Sequence, residues 1–171
     1  MKFSQILLEK ISYYLRDRSE KISVAESVTS GLVQLAFSQM PCAQEFFEGG
    51  ITTYTLDQKV EQLGIDYNEA KAANCVSKKI TEHMAVNVAS RFRTQWSVAT
   101  TGYCTPVQES GNDIYAYYAI TYRGKVVLSE RIELDPHIKS LEAQNYFTEC
   151  LLSSLTCELK KNLPQLLNEK K

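Results

Sequence analysis

The sequence predicts a layered α/β fold in which a mixed, mainly parallel sheet is flanked by helices and followed by a C-terminal hairpin and helix. Short β-branched runs alternate with stretches whose apolar residues recur every three or four positions, as in strands joined by crossover helices. Arg123-Gly124 then separates two longer strand-like runs, which indicates a hairpin. The length suits one domain, so we assign residues 1–171 to a single domain.

The elements follow in chain order from their apolar spacing and their end signals. Ile6, Leu7 and Ile11 share one face behind Ser4, so the chain opens with an amphipathic helix. Ser77 is placed as the N-cap of a later helix. The predicted elements are helix 4–15, strand 21–26, helix 29–37, strand 51–55, helix 56–63, a short helix or irregular segment 66–72, helix 78–92, strands 96–102, 114–122 and 126–134, and a final helix that frays at 168–171.

The charge balance argues against partners that bind through overall charge alone. Lys plus Arg number 19 and Asp plus Glu number 20, so nothing drives sequence-independent binding to nucleic acid or to an anionic membrane. The tyrosines between 115 and 122 would suit base stacking, but no basic residues lie among them. We therefore interpret them as core and sheet-face residues and expect no nucleic-acid or membrane partner.

The cysteines and histidines do not form a recognisable framework. Five cysteines without a CxxC spacing and two distant histidines predict neither a disulfide scaffold nor a metal site. The first fifteen residues carry Lys2, Glu9 and Lys10 within their apolar pattern, which a signal peptide would not. We therefore expect free thiols, no metal and a cytoplasmic protein.

One stretch carries the strongest functional signal. The run from Ser23 to Gly31 passes from β-branched residues through small hydroxyl residues into a helical pattern, so it predicts a strand, a tight turn and a helix. The free N–H groups of a helix N-terminus suit a phosphate, a carboxylate or a developing oxyanion. Ser27 lies at the position of a nucleophile in such a turn. The alternative is that these hydroxyl residues are ordinary N-caps.

A second junction between strand and helix contributes two more candidates. Tyr54 and Lys59 flank it, and a desolvated lysine can take the proton of a serine that attacks a carbonyl. In parallel sheets such sites gather at the carboxyl ends of the strands, where Ser27, Tyr54 and Thr101-Gly102 can converge. The alternative for Lys59 is a solvated helix residue.

Several segments resemble one known family. Residues 25–31, A-E-S-V-T-S-G, resemble the A-E-S-C-T-G-G motif of the CinA carboxy-terminal domain family, and residues 49–59 are similar to its G-G-x-x-x-Y-S-N-x-x-K. Residues 76–77 look like its V-S-E segment, and residues 101–106, T-G-Y-C-T-P, like its S/T-G-I-A-G-P. The order and spacing hold roughly from residue 21 to residue 155.

The resemblance implies an activity and assigns roles to residues. Known members of this family are nicotinamide mononucleotide deamidases, which hydrolyse a carboxamide to a carboxylate and ammonia without a metal or another cofactor. Such domains generally associate, so the resemblance also implies a homodimer or higher homo-oligomer. The matched positions are Ser27 as nucleophile, Lys59 as general base and Tyr54 as the site tyrosine, with Thr29, Ser30, Gly31, Thr101, Gly102 and Thr105 as the substrate-binding residues.

The sequence also departs from the family pattern. Val28, Ser30, Leu56, Lys78 and Thr105 replace the family's Cys, Gly, Asn, Glu and Gly. The family's K-P-V-G segment is absent, and the arginine of its G-D-R segment has no match near the last helix. Lysine does not reproduce the planar fork with which arginine binds a phosphate. The sequence thus leaves two functions open: a metal-free amidohydrolase acting on nicotinamide mononucleotide or a related carboxamide, and a catalytically silent relative that binds a small ligand or a protein.

Overall fold

The computed structural model describes residues 3–161, which form five strands and six helices. The strands are β1 (Ile22–Glu26), β2 (Phe47–Thr52), β3 (Trp96–Tyr103), β4 (Ile114–Tyr122) and β5 (Lys125–Leu134). The helices are α1 (Gln5–Asp17), α2 (Leu32–Ser38), α3 (Leu56–Leu63), α4 (Tyr67–Ala72), α5 (Lys78–Phe92) and α6 (Ser140–Lys161). The fraying predicted for 168–171 lies outside the described residues.

The strands form one mixed sheet in the order β2-β1-β3-β4-β5. Strand β1 pairs in parallel with β2 and β3, whereas the β3–β4 and β4–β5 pairs are antiparallel. The predicted class, a single layered α/β domain with a mixed sheet, is confirmed. The parallel part is smaller than predicted, because the loop between β3 and β4 holds only one 3₁₀ turn, Gln108–Ser110, and a return without a crossover helix makes β4 antiparallel.

The largest differences from the predicted boundaries concern β2 and α2. Strand β2 ends at Thr52, three residues before its predicted end. Strand β2 begins at Phe47, four residues earlier than expected, because its ladder with β1 pairs Gly49 with Ser23 and Gly50 with Val24. The hydrogen bonds between strands use only backbone groups, so Gly49 and Gly50 can lie in a strand. Because glycine has no side chain, the sequence shows no alternating pattern there. Helix α2 begins three residues later than predicted, at Leu32, because the preceding residues form a turn.

The core has one layer on each face of the sheet. Helices α1, α2 and α6 cover one face, around Phe37 and Trp96, which are fully buried. The indole N–H of Trp96 donates to Glu20 Oε2 at 2.7 Å, so the largest core side chain keeps its polar atom satisfied. Helix α5 packs on the other face over the small residues Ala99 and Ala119.

The tyrosines of β4 divide between the two faces. Tyr118 is buried, and the Tyr122 ring lies 4.4 Å from the Trp96 ring, as predicted for core residues. Tyr115 and Tyr117 point to the opposite face, as alternation along a strand requires, and are only partly buried. Two of the four tyrosines thus lie outside the core clusters.

Two further findings concern the whole described part. None of the helices within residues 3–161 is both long enough and apolar enough to cross a bilayer. All five cysteines lie in this range and are free thiols.

Candidate active site

The ends of three neighbouring strands meet around Ser27. This residue directly follows β1, and its backbone N–H donates to the Thr100 carbonyl of β3 at 3.0 Å. On the other side, the N–H of Thr53 donates to the Glu26 carbonyl at 2.9 Å, which holds the end of β2 beside β1. The sheet therefore fixes the peptide group between Glu26 and Ser27, from β3 on one side and from the end of β2 on the other.

Lys59 of α3 reaches this serine directly. Its Nζ lies 2.9 Å from Ser27 Oγ and donates to the Thr53 carbonyl at 2.8 Å. The contact predicted between the two side chains is present, and the alternative of a solvated lysine is wrong, because the side chain is 1% exposed. The reason is helical spacing: Lys59 and Leu63 lie four residues apart on the buried face of α3.

Burial determines the acid–base behaviour of this lysine. Desolvation lowers the pKa of Lys59 below its ordinary value, because the charged form loses its hydration. No carboxylate within residues 3–161 lies within ion-pair distance to offset that loss. The neutral amine, which can accept a proton, is therefore favoured more than in a solvated lysine.

The first turn of α2 is occupied by a carboxylate of the protein itself. Glu26 is completely buried and accepts hydrogen bonds from Thr29 Oγ1 at 2.6 Å and from the N–H groups of Val33 and Gln34 at 3.1 and 3.0 Å. The Gln34 side-chain amide also donates to it, at 2.9 Å. The sequence suggested that these helix N–H groups could hold a ligand anion, and that interpretation is wrong for α2 because Glu26 already accepts from them.

Glu26 should therefore stabilise the turn strongly, and Glu26→Gln is expected to lower the free energy of unfolding by roughly 2 to 3 kcal/mol. An amide places a donor where the carboxylate now faces only donors. Urea denaturation measures the change. Glu45→Gln is the matched control, because Glu45 forms a half-exposed ion pair with Arg16 and should matter by less than about 1 kcal/mol. Equal stabilities of the two variants would contradict this account.

A cavity of about 280 Å³ opens beside the two side chains. It lies at the carboxyl ends of β1 and β3, where the sequence placed the site. Of the predicted residues, Ser27, Lys59, Tyr54, Thr101, Gly102 and Thr105 line it. Its other lining residues are Val28, Asn74, Cys75, Val76, Tyr103, Cys104, Val107 and Glu109.

One wall of the cavity comes from the segment before α5, which sequence reasoning largely missed. Thr101 Oγ1 donates to the Cys75 carbonyl at 3.1 Å, and the Tyr103 hydroxyl donates to the Asn74 carbonyl at 3.3 Å. Both Asn74 and Cys75 have positive φ angles, so β3 holds this segment in a conformation that such residues rarely adopt. Burial raises the pKa of the Cys75 thiol, which keeps it neutral. The resemblance of the adjacent Val76-Ser77 to the family's V-S-E segment was the only sequence signal for this wall.

Three predicted binding residues lie outside the cavity lining. Thr29 is fully buried, and its hydroxyl bonds to Glu26 and to Thr100 Oγ1. Ser30 and Gly31 adopt φ angles of 50° and 101°, so they make the turn rather than a wall of the cavity. The family motif has glycine at position 30, which is the residue that this left-handed conformation favours. The structure thus places these three residues in the turn that follows the serine and not in the cavity lining.

Tyr54 lines the mouth of the cavity with 67% of its surface exposed. Within residues 3–161 there is no group of three His, Cys, Asp or Glu side chains that could hold a metal ion.

Gly102, which lines the cavity, allows β3 and β4 to approach each other closely. A Cβ atom at this position would lie 2.3 Å from the Tyr115 carbonyl oxygen and 2.6 Å from Ala116 Cα, both of which belong to the neighbouring strand. Gly102→Ala is therefore expected to lower the free energy of unfolding by about 3 kcal/mol. In Gly111→Ala nothing lies within 4 Å of the new Cβ, so only the backbone strain of about 1 kcal/mol remains. Similar urea midpoints for both variants would count against the close packing.

The comparisons with known proteins agree with this fold. Residues 4–141 match the family model of the CinA C-terminal domain. A CinA-like protein of Prochlorococcus marinus is 36% identical over 105 residues, which is 61% of this chain and 25% of that protein. A CinA-like protein of Chlorobium limicola is 34% identical over 119 residues, which is 70% of this chain and 28% of that protein. The chain thus spans about a quarter of the length of these curated relatives.

Solved structures show the same fold at low sequence identity. A competence-damaged protein (CinA) superfamily protein from Klebsiella pneumoniae superposes with a TM-score of 0.85 at 18% identity, covering 94% of this chain and 99% of that one. The competence/damage inducible protein CihA from Agrobacterium tumefaciens gives a TM-score of 0.82 at 23% identity, with coverage of 94% and 99%.

The chain is an α/β domain with a buried serine–lysine pair at a strand-to-helix turn. The chain belongs to the CinA C-terminal domain family.

Proposed function

We propose that this protein hydrolyses the amide bond of a small aromatic carboxamide, with Ser27 as the nucleophile and Lys59 as the general base. The observation that carries the proposal is the 2.9 Å separation of Ser27 Oγ and Lys59 Nζ, with the lysine buried and without a carboxylate partner among the described residues. A nucleophile and a base within hydrogen-bond reach are the minimum requirement for covalent acyl transfer.

The first half of the reaction forms an ester on the serine. Neutral Lys59 takes the hydroxyl proton while Ser27 Oγ bonds to the carbonyl carbon, which gives a tetrahedral oxyanion. The N–H group of Val28, which lines the cavity next to the serine, has no acceptor within residues 3–161, so it is available to this oxyanion. The oxyanion then collapses, the C–N bond breaks, and protonated Lys59 returns its proton to the nitrogen, which leaves as ammonia.

The second half releases the acid. A water molecule gives a proton to Lys59 and bonds to the ester carbon. The proton then returns to Ser27 Oγ as the ester bond breaks, so that the carboxylic acid leaves and the enzyme is regenerated. In solution the acid gives its proton to the ammonia. The net reaction consumes one water and yields a carboxylate and ammonium.

Family membership and the cavity support nicotinamide-type substrates. The motif positions of the nucleophile, the base and the tyrosine all lie at the cavity, whose volume of about 280 Å³ is at the lower end for sites that enclose small ligands. Nicotinamide mononucleotide is the candidate that the resemblance supplies.

The test is ammonia release by purified protein from nicotinamide mononucleotide, nicotinamide riboside and nicotinamide, with the acid product identified by mass spectrometry. We expect ammonia and acid in equal amounts from at least one of them. Acid quenching during turnover should also trap an acyl group on the tryptic peptide that contains Ser27. If none of the three amides is hydrolysed, the proposal is overturned in favour of a silent binding domain.

A further inference from the structure

The turn that follows Ser27 receives a hydrogen bond from the last helix. The Ser30 N–H donates to the Ser27 carbonyl at 3.1 Å, which closes a four-residue turn. The central peptide of this turn joins Val28 to Thr29. Its carbonyl, that of Val28, accepts from the side-chain amide of Gln144 at 2.8 Å, although the two residues are 116 positions apart in the sequence. Gln144 therefore holds the peptide whose orientation the closing bond of the turn does not fix.

The same helix also holds the side chain of Val28. This side chain is buried and packs in one cluster with Ala143 and Phe147 of α6. Ala143 directly precedes Gln144, and Phe147 follows Ala143 by four residues, on the same face of the helix. Val28 is thus fixed to α6 through both its carbonyl and its side chain, although the residues that line the cavity all come from earlier in the chain.

A second contact connects the start of α6 with the cavity. Ser140 Oγ donates to Cys104 Sγ at 3.1 Å, and Cys104 lines the cavity. Ser140 and Gln144 lie four residues apart, so they project from the same face of α6. This face therefore supports the cavity at two points, at Val28 and at Cys104.

The Val28 N–H is the donor that the proposed reaction uses for its oxyanion. A donor of this kind is effective when it already points at the developing charge, because turning it during the reaction would cost free energy. Its direction depends on the backbone dihedral angles of Val28. The closing bond of the turn restrains the peptide before Val28, and Gln144 restrains the peptide after it.

We propose that Gln144 is a positioning residue, which holds the Val28 backbone so that its N–H points at the oxyanion. The inference rests on the proposed function for the reacting group, but it concerns a residue of α6 that lies outside the cavity lining. Its effect should therefore fall on the tetrahedral state and not on the binding of the flat carboxamide.

The first test is the separation of kcat from KM for the best amide in the ammonia assay. Gln144→Met keeps most of the side-chain length but removes the donor to Val28. Loss of a complete oxyanion donor costs about a hundredfold to a thousandfold in kcat, and a misdirected donor loses part of that. We expect kcat to fall about tenfold, with KM within about twofold of wild type.

Two further variants control this measurement. Gln39→Met makes the same change at the exposed C-terminal end of α2 and should alter neither constant. Gln144→Ala removes the donor without placing a methyl group beside the Val28 carbonyl, so it should agree with Gln144→Met.

The second test needs no turnover. Pyridine-3-carboxaldehyde, as the free base and as its mononucleotide, can add the Ser27 hydroxyl across its carbonyl group, and the resulting hemiacetal resembles the tetrahedral state. The corresponding alcohols have the same ring but no carbonyl. In calorimetry, wild type should bind at least one aldehyde more tightly than its alcohol. Gln144→Met should reduce that preference by about tenfold, Gln39→Met should keep it and Ser27→Ala should abolish it.

The two tests separate the inference from the proposed function. If the aldehyde preference is present and falls in Gln144→Met while no amide is hydrolysed, Gln144 is a positioning residue and the hydrolase proposal fails. If Gln144→Met keeps the preference, weakens aldehyde and alcohol binding equally, or raises KM at unchanged kcat, the inference is overturned, and hydrolysis of any amide still supports the hydrolase proposal. Absence of the aldehyde preference in wild type overturns the inference as well.

Discussion

Ser27→Ala is expected to lower kcat/KM for any carboxamide that the protein hydrolyses by at least about a thousandfold. The Ser27 hydroxyl forms the covalent bond to the substrate in the proposed reaction, and a methyl group cannot replace it. The substitution removes one oxygen from a nearly buried side chain, so the fold should remain intact. Steady-state ammonia release measures the loss, and thermal unfolding monitored by circular dichroism checks the fold.

The matched control is Ser153→Ala, on an exposed position of α6. This variant should keep wild-type activity, because Ser153 does not line the cavity. Activity that persists in Ser27→Ala would remove this residue as the nucleophile, whatever the behaviour of the control.

Lys59→Met is expected to lower kcat by about two to four powers of ten. Methionine keeps much of the side-chain length but cannot take the proton of Ser27, so the hydroxyl would attack without assistance. The measurement is kcat at saturating substrate, with Lys125→Met at the exposed start of β5 as the control for a lysine-to-methionine change. If kcat of Lys59→Met stays within a few-fold of wild type, Lys59 is not the base.

The lowered pKa of Lys59 also determines the direction of the pH dependence. Only the neutral amine is a base, and its fraction rises as the pH rises toward the pKa, which burial holds below the ordinary value of 10.5. Wild-type kcat should therefore increase with pH, at most tenfold per unit, and level off above that pKa. A rate that falls with pH over this window would contradict the role of Lys59.

Stability should follow the same titration. Between the native pKa of Lys59 and the value of 10.5 for the unfolded chain, the unfolded state binds more protons at this group than the native state. The free energy of unfolding therefore rises with pH in this window. Lys59→Met removes that contribution, and any stability advantage of the variant over wild type should shrink as the pH rises. Urea denaturation at a series of pH values from 7 up to 10.5 measures the difference.

How much of the site the sequence predicts depends on how local its signals are. The turn at Ser27 was predicted because a β-branched run, small hydroxyl residues and an apolar helical stripe all lie within one short segment. Thr101 and Gly102 are predicted at the same edge because both lie at the end of a buried strand, and the carboxyl ends of parallel strands meet at one edge. Even the burial of Lys59 had a local signal, its spacing of four residues from Leu63, although the chemistry of lysine argued against it.

The remaining features depend on contacts between distant parts of the chain. Glu109 and Cys75 reach the cavity only because the loop after β3 and the segment before α5 meet beside Ser27, and no pattern within either segment indicates this. Strand β2 includes Gly49 and Gly50 because β1 supplies their partners. The tyrosines of β4 share one composition, yet the pleat sends Tyr118 to the core and Tyr115 to the cavity side.

The sequence by itself thus determined the α/β class, the family and the serine–lysine candidates, because hydrophobic periodicity and short motifs are properties of neighbouring residues. The tertiary structure decided which side chains line the cavity beside Ser27 and which of them are buried. Glu26 illustrates the difference: within its motif it is one acidic residue, and only the packing of β1 against α2 turns its carboxylate into the buried acceptor that occupies the helix N-terminus. The burial of a side chain and the charges around it depend on residues that are far apart in the sequence. Those residues come together only in the folded chain.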